Sequence, residues 1–443
     1  MKIFKSTLTI CSLVFYSVLF SQKDKNNYVS YHKPLILDEL KYCTLEYYKN
    51  DIDSLNEKEN KKFIRTRKED DKWVFNNQML AVFFNNEINS FAVTMKDLSL
   101  DPNIVSVNTD NKTLTVGRNI NLQNNKNRPD KDLRKISNML SVSATSSIDK
   151  SFSKIYSKNN KTNEYDFASE ISLNFKFTHI NNNIIGTYNK HRTQIEKFRN
   201  EKIEKYLQSE FEKDEELKDP SNVDIGKKYY EYYKKIADKE VKNIKDNTLF
   251  SSYKLSWWGV NVSVPLTKKV INVKSTKTVG NFDSKEFYSW KAELFFNGLY
   301  HIPGYLKGTT LNGRISGSVF NNNNFIANNT SAVTFQTIAD QNSTQQILNP
   351  ADLVFIGDYE RFATTALKLE GASLFFNNTI GVSAALEKNF GTYDALNWKL
   401  GIPVSLKDKD KKPSLNFEMQ WHEINKVHVL GISVGYIFGK FVR

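Results

Sequence analysis

The sequence predicts an all-β chain: an antiparallel transmembrane β-barrel of about 10–12 strands, with a helical-hairpin insertion and a small N-terminal region. Three observations carry this expectation. From Ile136 onward, segments alternate large apolar residues with small or polar ones, the period-2 pattern of strands with one greasy face. The chain opens on a secretory-type leader. Its last strand is amphipathic and aromatic, with Leu430, Ile432, Val434, Tyr436 and Phe438 alternating with Gly431, Ser433, Gly435, Ile437 and Gly439.

The leader reads in three parts. Lys2 and Lys5 give a positive start, Leu8 to Phe20 an apolar run, and Ser21 a small residue before the cut. Residues 1–21 are therefore expected to leave, with Gln22 as the new start. The apolar run is short for an uncleaved anchor. Cys11 lies inside it and lacks the small preceding residue that lipoprotein processing requires. Cleavage leaves only Cys43, so no intramolecular disulfide and no cysteine metal cluster is expected.

Composition excludes several classes. Hydrophobic residues are 40% and the mean hydropathy is −0.52. No stretch after the leader approaches the roughly 20 apolar residues of a membrane helix, whereas a barrel dilutes its apolar residues by alternation. Aromatic residues reach 13%, which suits interfacial girdles. The formal net charge is +13. Its lysines are spread through the chain without a nucleic-acid motif, and export argues against nucleic acid. Anionic head groups of outer-membrane lipid are the expected counterpart.

Residues 22–135 read as a polar N-terminal region, α/β or plug-like. Pro34–Tyr48 has a short helical pattern and Glu57–Lys72 is a solvated charge run. Trp73–Phe84, Ser90–Met95 and Ile104–Ile120 read as short strands, the last with a hairpin turn at Asp110-Asn111-Lys112. Asn121–Lys131, with Pro129, reads as a linker.

Residues 136–443 form the expected barrel. Its strands are Ile136–Ala144, Asp166–Thr178, Ser256–Val264, Tyr288–Tyr300, Thr309–Val319, Tyr359–Glu370, Leu374–Leu386, Leu396–Leu406, Ser414–His422 and the terminal strand. Several approach the roughly 9–11 residues that a tilted strand needs to cross a bilayer. Turns are expected at His301–Gly304, Glu370-Gly371 and Lys407–Lys412, with an exposed loop at Asn321–Asn329. Pro403 falls on the polar face of its strand, where its missing N–H interrupts a ladder.

Residues 188–246 break the pattern. Ile195, Phe198, Ile203, Tyr206 and Leu207 recur at helical spacing, as do Tyr229, Tyr233, Ala237, Val241 and Ile244. Asp219-Pro220-Ser221-Asn222 separates them. A charged helical hairpin is expected, either a docking arm for a protein partner or a decorated loop.

No catalytic, phosphate-binding or dinucleotide motif is present, and no enzyme activity, cofactor or metal is expected. The informative residues are the charges on the polar face of the strands: Glu170, Lys176, Lys291, Glu293, Arg314, Lys368, Glu370, Lys399, Glu418 and His422. Charge in hydrocarbon is costly, so in a barrel these must face the lumen. Their mixed signs point to a polar network filling a narrow barrel or to a wet pore without strong ion selectivity, and about ten to twelve strands favour a filled or constricted interior over an open porin channel. Glu418, His422 and His428 are placed close enough to meet at one rim, the one weak hint of a hydrolase.

The terminal strand resembles the closing strand of Gram-negative outer-membrane β-barrels, and Phe20-Ser21-Gln22 resembles the leader ends of exported proteins of Bacteroidota-type bacteria. The resemblance implies an outer-membrane address. It also implies a channel or transport role, or an accessory part in a larger surface machine. The alternatives are a non-transporting interaction protein using the helical insertion, and an exported soluble β-sandwich. The closing partner of the last strand is expected at Ile136–Ala144, or within Ile104–Ile120 if that segment joins the barrel. Ten strands place the insertion on the periplasmic side; one extra strand in Ser331–Asp340 would reverse it. Oligomeric state is left open.

Overall fold

The computed structural model describes residues 71–72, 77–91, 103–108, 113–122, 138–147, 156–158, 165–167, 171–218, 225–275, 282–302, 304–328, 330, 333–334, 353–407, 413–424 and 427–436, with five residues between Leu37 and Thr44. The leader, the Asp110–Lys112 turn and Phe438 lie outside them.

The strands are β1 (Asp71–Lys72), β2 (Asn103–Asn108), β3 (Thr113–Asn121), β4 (Asn138–Ser147), β5 (Tyr156–Lys158), β6 (Tyr165–Phe167), β7 (Ser172–Tyr188), β8 (Ser252–Pro265), β9 (Lys269–Lys274), β10 (Phe282–Phe287), β11 (Lys291–Ile302), β12 (Thr309–Asn323), β13 (Val333–Thr334), β14 (Leu353–Ile356), β15 (Arg361–Phe375), β16 (Ile380–Phe390), β17 (Leu396–Lys407), β18 (Pro413–Ile424) and β19 (Val427–Tyr436). The helices are α1 (Asn77–Asn89), α2 (Asn189–Phe198), α3 (Glu204–Lys213), α4 (Ile225–Asp246) and α5 (Asn324–Ala327).

One antiparallel sheet dominates. Its order is β19-β18-β17-β16-β15-β12-β11-β8-β7-β4-β3-β2, with β1 paired to β7 off this path. Neighbours in this sheet follow one another along the chain, so it is a meander of hairpins and longer connections. The two outer strands, β19 and β2, approach each other with Cα atoms within 8 Å. No ladder joins them among the described residues.

The sheet is inverted relative to a soluble protein. On β17, Leu396, Leu400, Ile402 and Leu406 are exposed, while Gly401, Pro403 and Ser405 are buried. On β12, Leu311, Ile315 and Val319 are exposed, while Asn312 and Ser316 are buried. Leu430 and Ile432 of β19 are 74% and 67% exposed, and Ser433 between Ile432 and Val434 is 2% exposed. An apolar side chain gains about 1.5–3 kcal/mol when buried from water, so an apolar face of this extent is costly to leave in water.

The end of the sheet where β19 finishes also carries the connections β7–β8, β11–β12 and β15–β16. The β7–β8 connection is the helical insertion, running from Asn189 to Asp246 with a π-turn at Arg199–Ile203 between α2 and α3. Its buried residues Ile195, Ile203, Leu207, Phe211, Tyr232, Tyr233, Ile236, Val241 and Ile244 form one apolar stripe. That stripe packs into a single core with α1 and the near ends of β7, β8 and β11. Eight sheet strands follow the insertion, β8, β11, β12 and β15 to β19, so it lies at the same end as the finish of β19. The other end carries a small sheet of order β10-β9-β14-β13 around Ile271, Val273, Phe287 and Phe325.

Several expectations are corrected. Within the strand expected at Trp73–Phe84, the described residues are helical: 77–89 are α1, whose Phe83, Phe84, Glu87, Ile88 and nearby Phe91 fall on one helical face. Of residues 22–135, expected as a small domain, a plug or early barrel strands, β2 and β3 pair within the large sheet, with Val107 opposite Leu114. Glu370-Gly371 does not bend the chain. β15 runs straight through it, and the turn is Phe376–Thr379, with φ of 53°, 57° and 61° at Phe376, Asn377 and Asn378. That turn switches faces, so Leu374 is buried while Ile380 and Val382 are exposed. Asn321–Asn329 is not an open loop: Asn322 and Asn323 are buried, and Asn323 caps α5 by accepting from the Phe325 and Ile326 N–H groups. At Pro403 the β16–β17 register skips from Ile380–Val404 to Ser383–Gly401, as a missing N–H requires.

Candidate functional site

The polar face is built row by row. Successive registers place Trp257, Asn297, Arg314, Glu370, Ala385, Lys399 and His422 side by side across β8, β11, β12, β15, β16, β17 and β18. Alternation puts all of these side chains on one face. The row is apolar at its β8 end and charged from β12 onward.

Five charges form a first network. Arg314 donates to Glu293 at 2.7 Å and lies 3.5 Å from Glu370. Lys368 pairs with Glu370 at 2.8 Å, and Lys291 with Glu293 at 3.6 Å. Glu293, Arg314 and Glu370 are nearly buried, so each needs its partners; removing one leaves an uncompensated charge. The Phe295 ring is flanked by two cations, Lys176 at 4.9 Å and Arg314 at 5.0 Å from its centroid. Gly259 makes room for that ring: a Cβ there would stand 2.6 Å from Phe295 Cζ.

A second network centres on Glu418, which is fully buried. Ser383 donates to its Oε1, Gln420 Nε2 donates to its Oε2 at 2.6 Å, and Lys399 pairs with it at 3.2 Å. His422 Nε2 lies 2.6 Å from Gln420 Oε1. Since Gln420 donates to Glu418 through its amide nitrogen, its oxygen accepts, and His422 carries the proton on Nε2. His422, Gln420 and Glu418 thus form one hydrogen-bonded chain along β18.

The residues expected to share the polar face thus fall into two networks, with Lys176 joined to the first through Phe295. Glu170 lies outside the described residues. The proposed meeting of Glu418, His422 and His428 does not occur. His428 pairs in register with Glu423 on the opposite face and packs against Trp398 and Trp421, at 5.9 and 5.7 Å between ring centroids. Pleating separates His422 from His428, a separation that spacing along the chain does not reveal. Ser383, Gln420, Gly401 and Phe295 belong to the networks without having been singled out. The signal for Gly401 and Gly259 is a glycine inside a strand, which marks a close approach by another group.

At the end bearing the insertion, the polar face becomes apolar. Tyr253, Leu255, Trp257, Leu299 and Leu374 are buried against α1 and α4. The Glu87 carboxylate of α1 is the polar exception. It pairs with Lys245 of α4, accepts from Tyr253 Oη at 2.6 Å and accepts from Asn378 Nδ2 at 2.6 Å. Burial alone raises its pKa, but Lys245, Tyr253 and Lys407 together hold it below the usual carboxylate range.

On the apolar face, Gly298, Gly313, Gly371 and Ala384 stand in register and leave a shallow depression of about 930 Å³, rimmed by Phe296, Ile315, Leu369 and Trp398. Among the described residues, no three His, Cys, Asp or Glu side chains are grouped to hold a metal ion. The arrangement is that of a polar wall in which Glu293, Glu370 and Glu418 are each paired with at least one cation. No protein-family model matches the chain, and no curated protein does.

Proposed function

We propose that this chain is an outer-membrane β-barrel in which β19 closes against β2. Its apolar face meets lipid and its polar face lines a lumen with a channel or transport role. The observation that carries the reading is the inversion of the sheet. Leu294, Phe296, Ile315, Leu369, Leu386, Leu400 and Ile432 are exposed on consecutive strands, while Glu418, Gln420 and Ser383 are buried. A soluble sandwich needs its apolar faces turned inward against a second sheet. Here the apolar face carries none among the described residues. The proximity of β19 and β2 supports closure.

Barrels of this class end their last strand in the periplasm, as the resemblance of the terminal strand implies. With that polarity, the helical insertion is periplasmic and the β9–β10–β13–β14 sheet is at the cell surface. The charge networks mix both signs, with Lys176, Lys291, Arg314, Lys368 and Lys399 beside Glu293, Glu370 and Glu418, which fits passage of small polar solutes without strong selection of one ion sign.

A second reading is a non-transporting scaffold or accessory of a surface machine. The apolar packing of α1 and the insertion at one end favours it, since it fills space that a pore would leave wet. Fractionation with heat-dependent gel mobility tests the barrel. An outer-membrane location and a compact unheated form are expected, and a soluble periplasmic protein overturns the reading. Conductance in planar bilayers separates the two functions.

A further inference from the structure

α1 joins parts of the molecule far apart along the chain. Its Phe83 packs edge-on against Tyr253 and Phe250, at 5.0 and 5.4 Å between centroids, and Lys245 lies over the same ring at 5.4 Å. Phe84 packs against Tyr253 as well. Tyr253 belongs to the wall of the sheet, on the same face as Trp257 and, across the strands, Leu299. The helix therefore seats on the polar-face side, at the end bearing the insertion. Its apolar contacts are generic; its one ionic contact is specific. Glu87 reaches α4 through Lys245, β8 through Tyr253, and the β15–β16 turn through Asn378.

That turn is strained. Phe376, Asn377 and Asn378 are three consecutive non-glycine residues in the left-handed region. The β11–β12 turn beside it adds Leu306 and Lys307, at φ of 45° and 58°. The two turns are tied by the Phe376 N–H donating to the Leu306 carbonyl at 3.1 Å. The left-handed region costs a residue such as Phe376 or Leu306 about 1–2 kcal/mol, whereas Asn377 and Asn378 adopt it at little cost. Glu87 holds the last of them, and Lys407 holds the middle one by donating to the Asn377 carbonyl. Glu87 is the contact that ties this turn to α1.

We propose that α1 is a releasable gate on the lumen, held shut by Glu87 acting simultaneously on Lys245, Tyr253 and Asn378. Release of Glu87 frees α1 and lets the 376–378 turn relax. The apolar wall exposed by departure of Phe83 and Phe84 then faces water, which biases the gate toward reclosure. The proposal rests on the barrel reading. It assigns to residues 77–91 a role separate from the charge networks, which stay closed on themselves in either state.

The test uses the full chain in lipid, with two readouts: amide hydrogen exchange across 77–91 and bilayer conductance. Glu87→Ala and Glu87→Lys are expected to speed exchange in α1 by at least about tenfold, leave exchange in β16–β18 unchanged, and raise conductance above wild type. The swap Glu87→Lys with Lys245→Glu is expected to restore protection and lower conductance again. Unchanged exchange in α1 overturns the hold of Glu87. Released α1 without added conductance overturns the gate, as does a wild-type chain that conducts as freely as the variants. Heat-dependent gel mobility of the same samples judges the barrel separately. If Glu87→Ala yields no compact form, Glu87→Gln, which keeps the shape and removes the charge, is read by the same criteria.

Discussion

Gly401 lies beneath the Glu418 carboxylate. A Cβ on Gly401 would crowd Glu418 Oε1 and stand 2.6 Å from Ser383 Oγ. Both are ends of rotatable side chains, so Gly401→Ala is expected to be relieved by moving Glu418 rather than the backbone. The cost is then the loss of the contacts to Ser383, Gln420 and Lys399, about 1–3 kcal/mol in a denaturation series. The same substitution in a Glu418→Ala background is expected to cost clearly less, which a double-mutant cycle measures.

Gly259 offers the opposite case. A Cβ there meets the Phe177 backbone carbonyl as well as the Phe295 ring. Backbone does not step aside as a side chain does. Gly259→Ala is therefore expected to lose about 1–3 kcal/mol by overpacking, with no rescue from Phe295→Leu beyond the part due to the ring.

Leu369 is 47% exposed on the apolar face, beside Lys368 on the polar one. On a water-facing surface Leu369→Arg changes stability by no more than about 0.5 kcal/mol. Facing the middle of a bilayer it costs about 2–4 kcal/mol. Unfolding of the purified protein from lipid vesicles by guanidinium distinguishes the two, and a change near zero counts against a lipid-facing sheet.

The insertion has its own pH window. Asp214 accepts from Lys228 Nζ at 2.9 and 2.8 Å and from Tyr232 Oη at 2.6 Å. Burial raises the Asp214 pKa, but Lys228 and Tyr232 outweigh it and hold the carboxyl below its usual range. Burial opposes the Lys228 charge too, yet Asp214 and Glu216 hold its pKa above the usual value. A depressed carboxylate contributes stability above its unfolded pKa, about 3.9, and loses it as pH falls through the lower folded value. A raised ammonium contributes below about 10.4 and loses it as pH rises through the higher folded value. The insertion is expected to be most stable between these limits. In Lys228→Met the acid limb of the far-UV helical signal is expected to shift to higher pH.

Much of this was legible because strand parity is local. Leu396, Leu400 and Ile402 against Lys399 and Ser405 declare their faces from one segment alone, and the helical spacing of Tyr233, Ala237, Val241 and Ile244 does the same for α4. Turns were less legible where their residues carry no turn signature. Phe376 in a left-handed conformation is held by tertiary contacts, while Glu370-Gly371, which looks like a turn, passes through a straight strand. α1 was missed because Val82-Phe83-Phe84 has strand propensity, although Phe84, Glu87, Ile88 and Phe91 keep helical spacing. The change from polar to apolar along the inner wall was written in β8, where Leu255, Trp257 and Trp258 make both faces apolar. Its meaning depends on which helix packs there. The pairing of Glu418 with Ser383 and Lys399 spans three strands and has no local trace.

The adjacency of sheet neighbours along the chain has a kinetic consequence. Neighbouring strands of the large sheet follow one another along the chain, several through short hairpins and others, such as β7–β8, through longer connections, so most pairings close modest loops. The proposed closure of β19 on β2 is different: the two strands lie with Cα atoms within 8 Å, without a ladder among the described residues, and pairing them would join the two ends of the sheet across the longest loop of all. Contacts of that span form slowly, since chain entropy is lost before any bond compensates. Folding is therefore expected to show a fast phase from accumulating hairpins and one slow phase from the final seam. Substitutions in β19 and β2 change the slow phase and leave the fast one untouched.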